Sequence, residues 1–408
     1  MSVKIGEMKN AGPYYGKTLD ELGEMEWRPE EERLIERYCE KIHKNISQEE
    51  MTPMERFKAT CEGADRDRLF VEAYFYSTYT MRIYDAFSGA LKAIDAYSFP
   101  QLLILSHLAC IARFNPDNLH IGGFSYGENM FGAPAMMIED GSPVFLMPMP
   151  IKTIEDMEGL EAPDPTKYGL FPQLLWTLRE VRRIFDKYEL SGKLPIEAEC
   201  CGSAEHLAMH AMLGYEEFIR AMRNNPDLIK ATIKLGTDFL ISLGKALFEI
   251  GKVDMADLPE NTGMFPTKGY EWVADEFARL GKAVQTAAGP APFVHGMVFD
   301  KCYEWLQVFW DAGALGPDSF DAVIVAGIEN YERAIDFCKE HDLRVGSSPV
   351  AELSVKGPAS AIEENYKKRC SILKNAKKGY VGAGPIDYWT PPEFMDVTIK
   401  AAKEYGKF

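Results

Sequence analysis

The sequence predicts an α/β chain folded as a (β/α)8 TIM barrel with an N-terminal helical extension. Two observations carry that prediction. A short apolar run followed by an amphipathic stretch recurs along most of the chain, and no GxGxxG follows the first such run. Strand and helix in alternation require a parallel sheet with helical crossovers. Without the dinucleotide fingerprint, a closed barrel is the better choice than an open doubly wound sheet. The 408 residues fit one such barrel.

Residues 1–50 read as the extension, and 27–45 carries dense opposite charges at helical spacing, which predicts a solvated helix. Residues 51–408 are the barrel. Its first strand is expected at 69–76 (LFVEAYFY), rich in aromatics, and a helix at 97–113 is closed by Asn115-Pro116. Strands are then expected at 194–199, 252–257, 292–298, 320–326, 343–347 and 379–384. The helices that follow them are expected at 203–212, 269–286, 303–312, 330–341, 359–375 and 393–405. In a barrel of this kind the site lies where strands end and the following loops begin.

The formal net charge of −17 and the absence of a Lys/Arg run exclude a nucleic-acid footprint. No run approaches the 18 apolar residues of a membrane span, and residues 1–9 lack the apolar stretch of a secretory signal. Eight cysteines without a CxxC pair predict reduced thiols and a cytoplasmic protein.

Several segments together resemble the uroporphyrinogen-decarboxylase superfamily. These are Met51-Thr-Pro-Met-Glu-Arg-Phe-Lys-Ala with Gly63 and Asp67-Arg68, Ile138-Glu-Asp-Gly-Ser-Pro, Ile151-Lys-Thr-Ile-Glu-Asp-Met-Glu, Ala162-Pro-Asp-Pro, Gly214-Tyr-Glu-Glu-Phe, Asn225-Pro-Asp-Leu, the strand ending at His295, and Trp389-Thr-Pro-Pro-Glu. The resemblance spans residues 51–408. It implies a TIM barrel that acts either as a decarboxylase or as a corrinoid-dependent methyltransferase. The decarboxylase branch carries an N-terminal arginine motif that neutralises porphyrinogen carboxylates, and 69–81 (LFVEAYFYSTYTM) has no arginine. The thiol-methylating branch binds zinc through two cysteines, and the matching sites read His295-Gly296-Met297 and Gly382-Ala-Gly-Pro385. What remains is the branch that removes methyl groups from a substrate, for which a methoxylated aromatic is the expected donor (O-demethylation). The acceptor is the corrinoid of a separate protein, because the chain has no cobalamin-binding Asp-x-His-x-x-Gly. A homodimer is expected, with neither nucleic acid nor membrane as partner. The alternatives left open are a decarboxylase and a non-catalytic module that docks a corrinoid protein.

The candidate residues follow. His295 stands where a strand gives way to a loop, and Glu260 lies on the loop after the fourth strand. Glu276 shares the apolar stripe Val273, Phe277, Leu280, Val284. Glu260, Glu276 and His295 would form a nitrogen-and-oxygen site for Zn²⁺ with an open position. A flanking ion pair is the alternative for Glu276. Glu197 and Glu199 alternate to one side of the third strand, so Glu199 joins His295 and Glu260 as a catalytic candidate. Tyr74, Phe75, Tyr76 and Tyr79 suggest an aromatic wall. Phe124, Tyr126 and Phe131 on a glycine-rich loop, with Tyr388 and Trp389 near the end, suggest further ring contacts. His206 and His210 have metal-ligand spacing without the glutamate of HExxH. Asp318, Asp321 and Asp387 lie near later strand ends, and the methionine-rich 136–149 is either core or a partner surface.

Overall fold

Eight parallel strands close a barrel in the computed structural model, which describes residues 4–84, 92–122, 127, 129–138, 144–199, 202–258, 265–288, 293–294, 296–297, 302–326, 331–386 and 388–408. The strands are β1 (Val71–Phe75), β2 (Leu119–Ile121), β3 (Ile196–Glu199), β4 (Met255–Asp257), β5 (Phe293–Val294 and Gly296–Met297), β6 (Ala322–Ala326), β7 (Arg344–Ser348) and β8 (Gly379–Ile386). Backbone ladders run without a break from β2 through β3 and β4 to the first half of β5. They continue from its second half through β6, β7 and β8 back to β1. Seven of the strands therefore fall where apolar runs and turn signals put them, with each end shifted by a residue or a few; β2 is the exception, because its three residues open a segment that reads as a glycine-rich loop.

One seam, between β1 and β2, has no ladder among the described residues. It is closed instead by side chains and one backbone bond. The Asp117 amide donates to the Val71 carbonyl (2.9 Å), and the Val71 amide donates back to the Asp117 carboxylate (2.7 Å). One position higher, Asn118 accepts from the Ala73 amide (2.8 Å) and donates to the Ala73 carbonyl (3.2 Å). At the top, the Ser77 hydroxyl donates to the Gly122 carbonyl (2.9 Å).

Asp117 also takes both buried arginines of the opening motif. Arg56 donates to its Oδ1 (2.8 Å), and Arg68 donates to both of its oxygens (2.6 and 2.8 Å). Arg56 additionally holds Asp67 and the Met51 carbonyl, and both arginines bond Glu49, which accepts from Lys403. Burial alone would raise the Asp117 carboxyl, but the adjacent Arg68 and Arg56 hold it well below the usual carboxylate range.

The helices explain why the opening motif reads as it does. In α1 (Pro29–Ile46), Ile35, Cys39, Ile42 and Ile46 form a buried stripe that packs on the helix Pro100–Phe114. The solvated helix expected here is thus corrected: its charges cover the outer face only, and a stripe at this spacing demands a partner. Residues from Met8 to Ile46 share one core with the barrel, and Met8–Lys9 pairs with Ala135–Met136 in a small outer sheet. In α2 (Pro53–Glu62), Thr52 accepts from the Glu55 amide (3.2 Å) and Glu55 accepts from the Thr52 amide (2.8 Å). This capping box, with Pro53 in the first turn, starts the helix, and Gly63 in the left-handed region (φ 67°) ends it. Met54 and Phe57 of α2 join Phe70, Met255 and Tyr380 in an apolar plug at the N-terminal end of the barrel.

Removing the Asp117 carboxylate leaves two buried guanidinium groups short of a partner. Asp117→Ala is expected to cost about 3–5 kcal/mol, read as a lower midpoint in denaturant with an unchanged slope. A loss under about 1 kcal/mol would mean that the seam does not depend on this ion pair.

Candidate active site

Strand alternation carries two inward ladders up the barrel. On β1 they are Glu72 and then Tyr74, and on β3 Glu197 and then Glu199, each step rising about 6–7 Å toward the C-terminal mouth. Asp257 ends β4 opposite Glu199 in register. Glu72, Glu197 and Glu199 are at most 2 % exposed and Asp257 is 7 % exposed. Glu72 and Glu197 face each other carboxyl to carboxyl, and the Tyr74 hydroxyl lies beside Glu199. Asn118 Nδ2 donates to Glu197 Oε2 (2.5 Å), so the residue that stitches the seam also orients this acid.

Six carboxyl oxygens of these four acids have no hydrogen-bond partner among the described residues, and neither do the Tyr74 and Tyr380 hydroxyls. Burial is therefore the dominant influence on every acid. It pushes Glu197 up to about 7, with Glu72 and Asn118 restraining the rise. Glu72 stands well above its ordinary value through burial and then the charge of Glu197. Glu199 is raised by burial and then by Asp257, and Asp257 by burial and then by Glu197. The interior thus favours the protonated form of all four acids. Arg344, at the start of β7, favours ionisation of Glu72 and Glu197 but is itself paired with Asp321 (2.8 Å).

Gly122, just after β2, leaves Glu199 room. A Cβ there would lie 2.5 Å from the Glu199 Cβ and 2.9 Å from its Oε2. His120 of β2 stacks obliquely on Tyr74 (4.1 Å between centroids). Burial, then His107, holds its imidazole neutral, with the pKa lowered to about 3.

The expected site residues are distributed unevenly. Glu199 and Tyr74 lie together in the interior. Tyr76 meets Tyr74 edge-on (5.3 Å, 88°), while Trp389 is 71 % exposed and edge-on to Tyr388 beyond the end of β8. The aromatic wall is corrected in part. Phe75 and Tyr79 point outward into the helical layer, stacked on each other (5.9 Å) and packed with Phe114, because alternation sends Phe75 opposite to Tyr74. Phe131 is likewise a buried core residue, edge-on to Phe239. Glu276 is corrected as a ligand. Its half-buried carboxylate on the helix Trp272–Ala288 accepts two bonds from Arg279 (2.6 and 3.1 Å), the ion-pair alternative. His206 and His210 stack face to face (4.2 Å, 9°) across the start of a π-helical turn, Ala208–Leu213. His295, Glu260, Phe124, Tyr126, Cys200, Cys201 and Asp387 lie outside the described residues. Among the described residues, no group of three or more His, Cys, Asp or Glu is arranged to hold a metal ion. No described helix is long and apolar enough to cross a membrane. The methionine-rich segment divides, with Met137 and Met149 buried and Met147 71 % exposed.

Sequence reasoning missed Glu72, Asp257, His120 and Asn118. A carboxylate inside an otherwise apolar strand was the available signal for Glu72.

The model of the family described as uroporphyrinogen decarboxylase (URO-D) matches residues 52–320. The chain belongs to the URO-D family. No curated protein matches it in sequence. Among solved structures, a methyltransferase from Methanosarcina mazei is similar at 16 % identity and TM-score 0.69, covering 87 % of this chain and 99 % of that one. At this identity the likeness speaks for the URO-D-type barrel alone. Two β-mannanases are more remote. That from the blue mussel Mytilus edulis has 9 % identity and TM-score 0.40, covering 82 % of this chain and 91 % of that one. That from the sea hare Aplysia kurodai has 13 % identity and TM-score 0.36, covering 57 % and 74 %.

A raised acid in the folded state destabilises it as pH rises. Between the ordinary glutamate range and pH about 7, folded Glu197 keeps a proton that the unfolded chain has lost. Stability from this group is full below that window and falls by about 1.4 kcal/mol per pH unit within it. Glu197→Gln should therefore raise the Tm relative to the parent more at pH 8 than at pH 5. An equal difference at both pH values would show that Glu197 ionises normally.

Proposed function

We propose that this URO-D-family barrel is a methyltransferase that takes a methyl group from a methoxylated aromatic and passes it to the Co(I) corrinoid of a partner protein. The observation that carries the reading is the row of buried acids, most of their oxygens without a hydrogen-bond partner among the described residues, that ends at Glu199 and Asp257 in the C-terminal half of the barrel. An aryl methyl ether loses its methyl group only if the oxygen that keeps the bonding electrons is stabilised, and a neutral carboxylic acid can supply the proton. Glu199, beside the Tyr74 hydroxyl, is the proposed acid: its proton goes to the phenolic oxygen as the C–O bond breaks and the methyl group leaves to the corrinoid. Tyr74, Tyr76 and Trp389, with Phe124 and Tyr126, are the proposed ring contacts, and the M. mazei methyltransferase is a structural relative in keeping with this reading.

The resemblance also implies zinc. Of the expected ligands only Glu276 is described, and Arg279 holds its carboxylate, so no step is routed through a metal. Zinc held by Glu260 and His295 remains part of the proposal as an expectation about composition. Decarboxylation of a polycarboxylate would call for cations in this interior, and the nearby Arg344 is already paired with Asp321.

Purified protein is expected to transfer methyl groups from a methoxyphenol to free Co(I) corrinoid, and Glu199→Gln to lower kcat by about 10²–10⁴. Carbon dioxide release from a carboxylated substrate, without methyl transfer, would replace this reading by decarboxylation. Bound zinc, measured by elemental analysis, should fall in Glu260→Ala and in His295→Ala. Unchanged zinc in both would remove these two residues as ligands.

A further inference from the structure

The Glu72–Glu197 pair lies one strand step below the proposed acid, and the demethylation step does not use it. Its surroundings are specific. The apolar plug of Met54, Phe57, Phe70, Met255 and Tyr380 seals the barrel beneath it. Asn118 fixes one oxygen of Glu197, and the Tyr74 hydroxyl above and the Tyr380 hydroxyl are buried without a hydrogen-bond partner among the described residues. The groups facing the pair are Asp257 from β4, Arg344 from β7 with its partner Asp321, and Tyr380 from β8. Upward from the pair, the next polar groups on β1 and β3 are Tyr74 and Glu199.

We propose that Glu72 and Glu197 share a stored proton that resupplies Glu199, by way of the Tyr74 hydroxyl, after each turnover. This rests on the demethylase reading of the same site. When the Glu199 carboxyl has given its proton to the leaving oxygen, the Tyr74 hydroxyl protonates the Glu199 carboxylate and takes a proton from the pair. The pair is left with one proton fewer and is reloaded from solvent through the mouth once product has gone. No oxidant or further reactant is needed. Glu72 and Glu197 are positioning residues in this scheme, acting through Glu199.

Two measurements on the full-length protein test it. In the first, infrared difference spectra between pH 5 and pH 9 follow the protonated-carboxyl C=O stretch. A band titrating near neutral pH is expected, lost in Glu72→Gln and in Glu197→Gln. In the second, turnover with a methoxyphenol and free Co(I) corrinoid should show kcat reduced about tenfold in either variant, the low side of proton-transfer effects, with KM within about twofold. The parent's decline of kcat toward alkaline pH should be displaced. The store is overturned by the absence of the titrating band, by its persistence in both variants, or by a kcat–pH profile matching the parent. A parent protein that transfers no methyl group overturns the demethylase reading, while the infrared measurement still decides whether the pair holds a titrating proton.

Discussion

The barrel depends on how its one unladdered seam is closed. Seven of the eight strand contacts are ordinary parallel ladders, which any sequence of sufficient β-propensity can make. Between β1 and β2 the work passes to Asp117 and Asn118, whose side chains take the place of the missing ladder. Side chains can do this only if held rigidly. Asp117 is gripped by Arg56 and Arg68, and through Glu49 that grip extends to Lys403 on the last helix. The start of the barrel, its second strand and its C-terminus are therefore tied at one buried point. An ion cluster of this kind is costly to desolvate, and its value lies in geometry more than in net energy.

That seam is also where structure becomes chemistry. Asn118 uses one side of its amide group to join the strands and the same NH₂ group to hold Glu197, so the acid inherits the rigidity of the seam. Gly122, at the seam's upper end, carries the stitch from Ser77 and leaves Glu199 its space. The buried acids themselves oppose folding, since six of their oxygens give up water without gaining a donor among the described residues. Burial favours their protonated form, the state in which a carboxyl group can donate. The fold thus tolerates a destabilising interior, and the proposed proton donation would use it.

The order of elements was legible because hydrophobic period and caps are local signals. Several described residues of the segments that carried the resemblance are structural. Thr52 and Glu55 form a capping box, Asn225 caps the helix Pro226–Glu249, Asp156 and Asp164 close turns, and Arg56, Asp67 and Arg68 belong to the clamp. Such residues report the fold faithfully and the reaction hardly at all. The inward acids were partly legible, since alternation correctly put Glu197 and Glu199 on one side. Glu72 was overlooked because its run was read for a missing arginine and not for the carboxylate present. The same rule of alternation separates Tyr74 from Phe75. Glu276 was misjudged for a different reason: a helix stripe gives the direction of a side chain, but not whether Arg279, three residues on, will capture it.

A barrel plugged at one end imposes its own sequence of events. Met54 and Phe57 from α2 fill the N-terminal end, so in the proposed reaction substrate, the partner's corrinoid and solvent would all use the C-terminal mouth. They cannot use it together. On that proposal a bulky corrinoid over the opening would cut the interior off from bulk water, and any proton needed during methyl transfer would already have to be inside. Acids raised by burial satisfy that condition, whereas ionised acids or a water chain would not. The Glu72–Glu197 pair, one rung beneath Glu199 and above that plug, has the depth the proposed store would need.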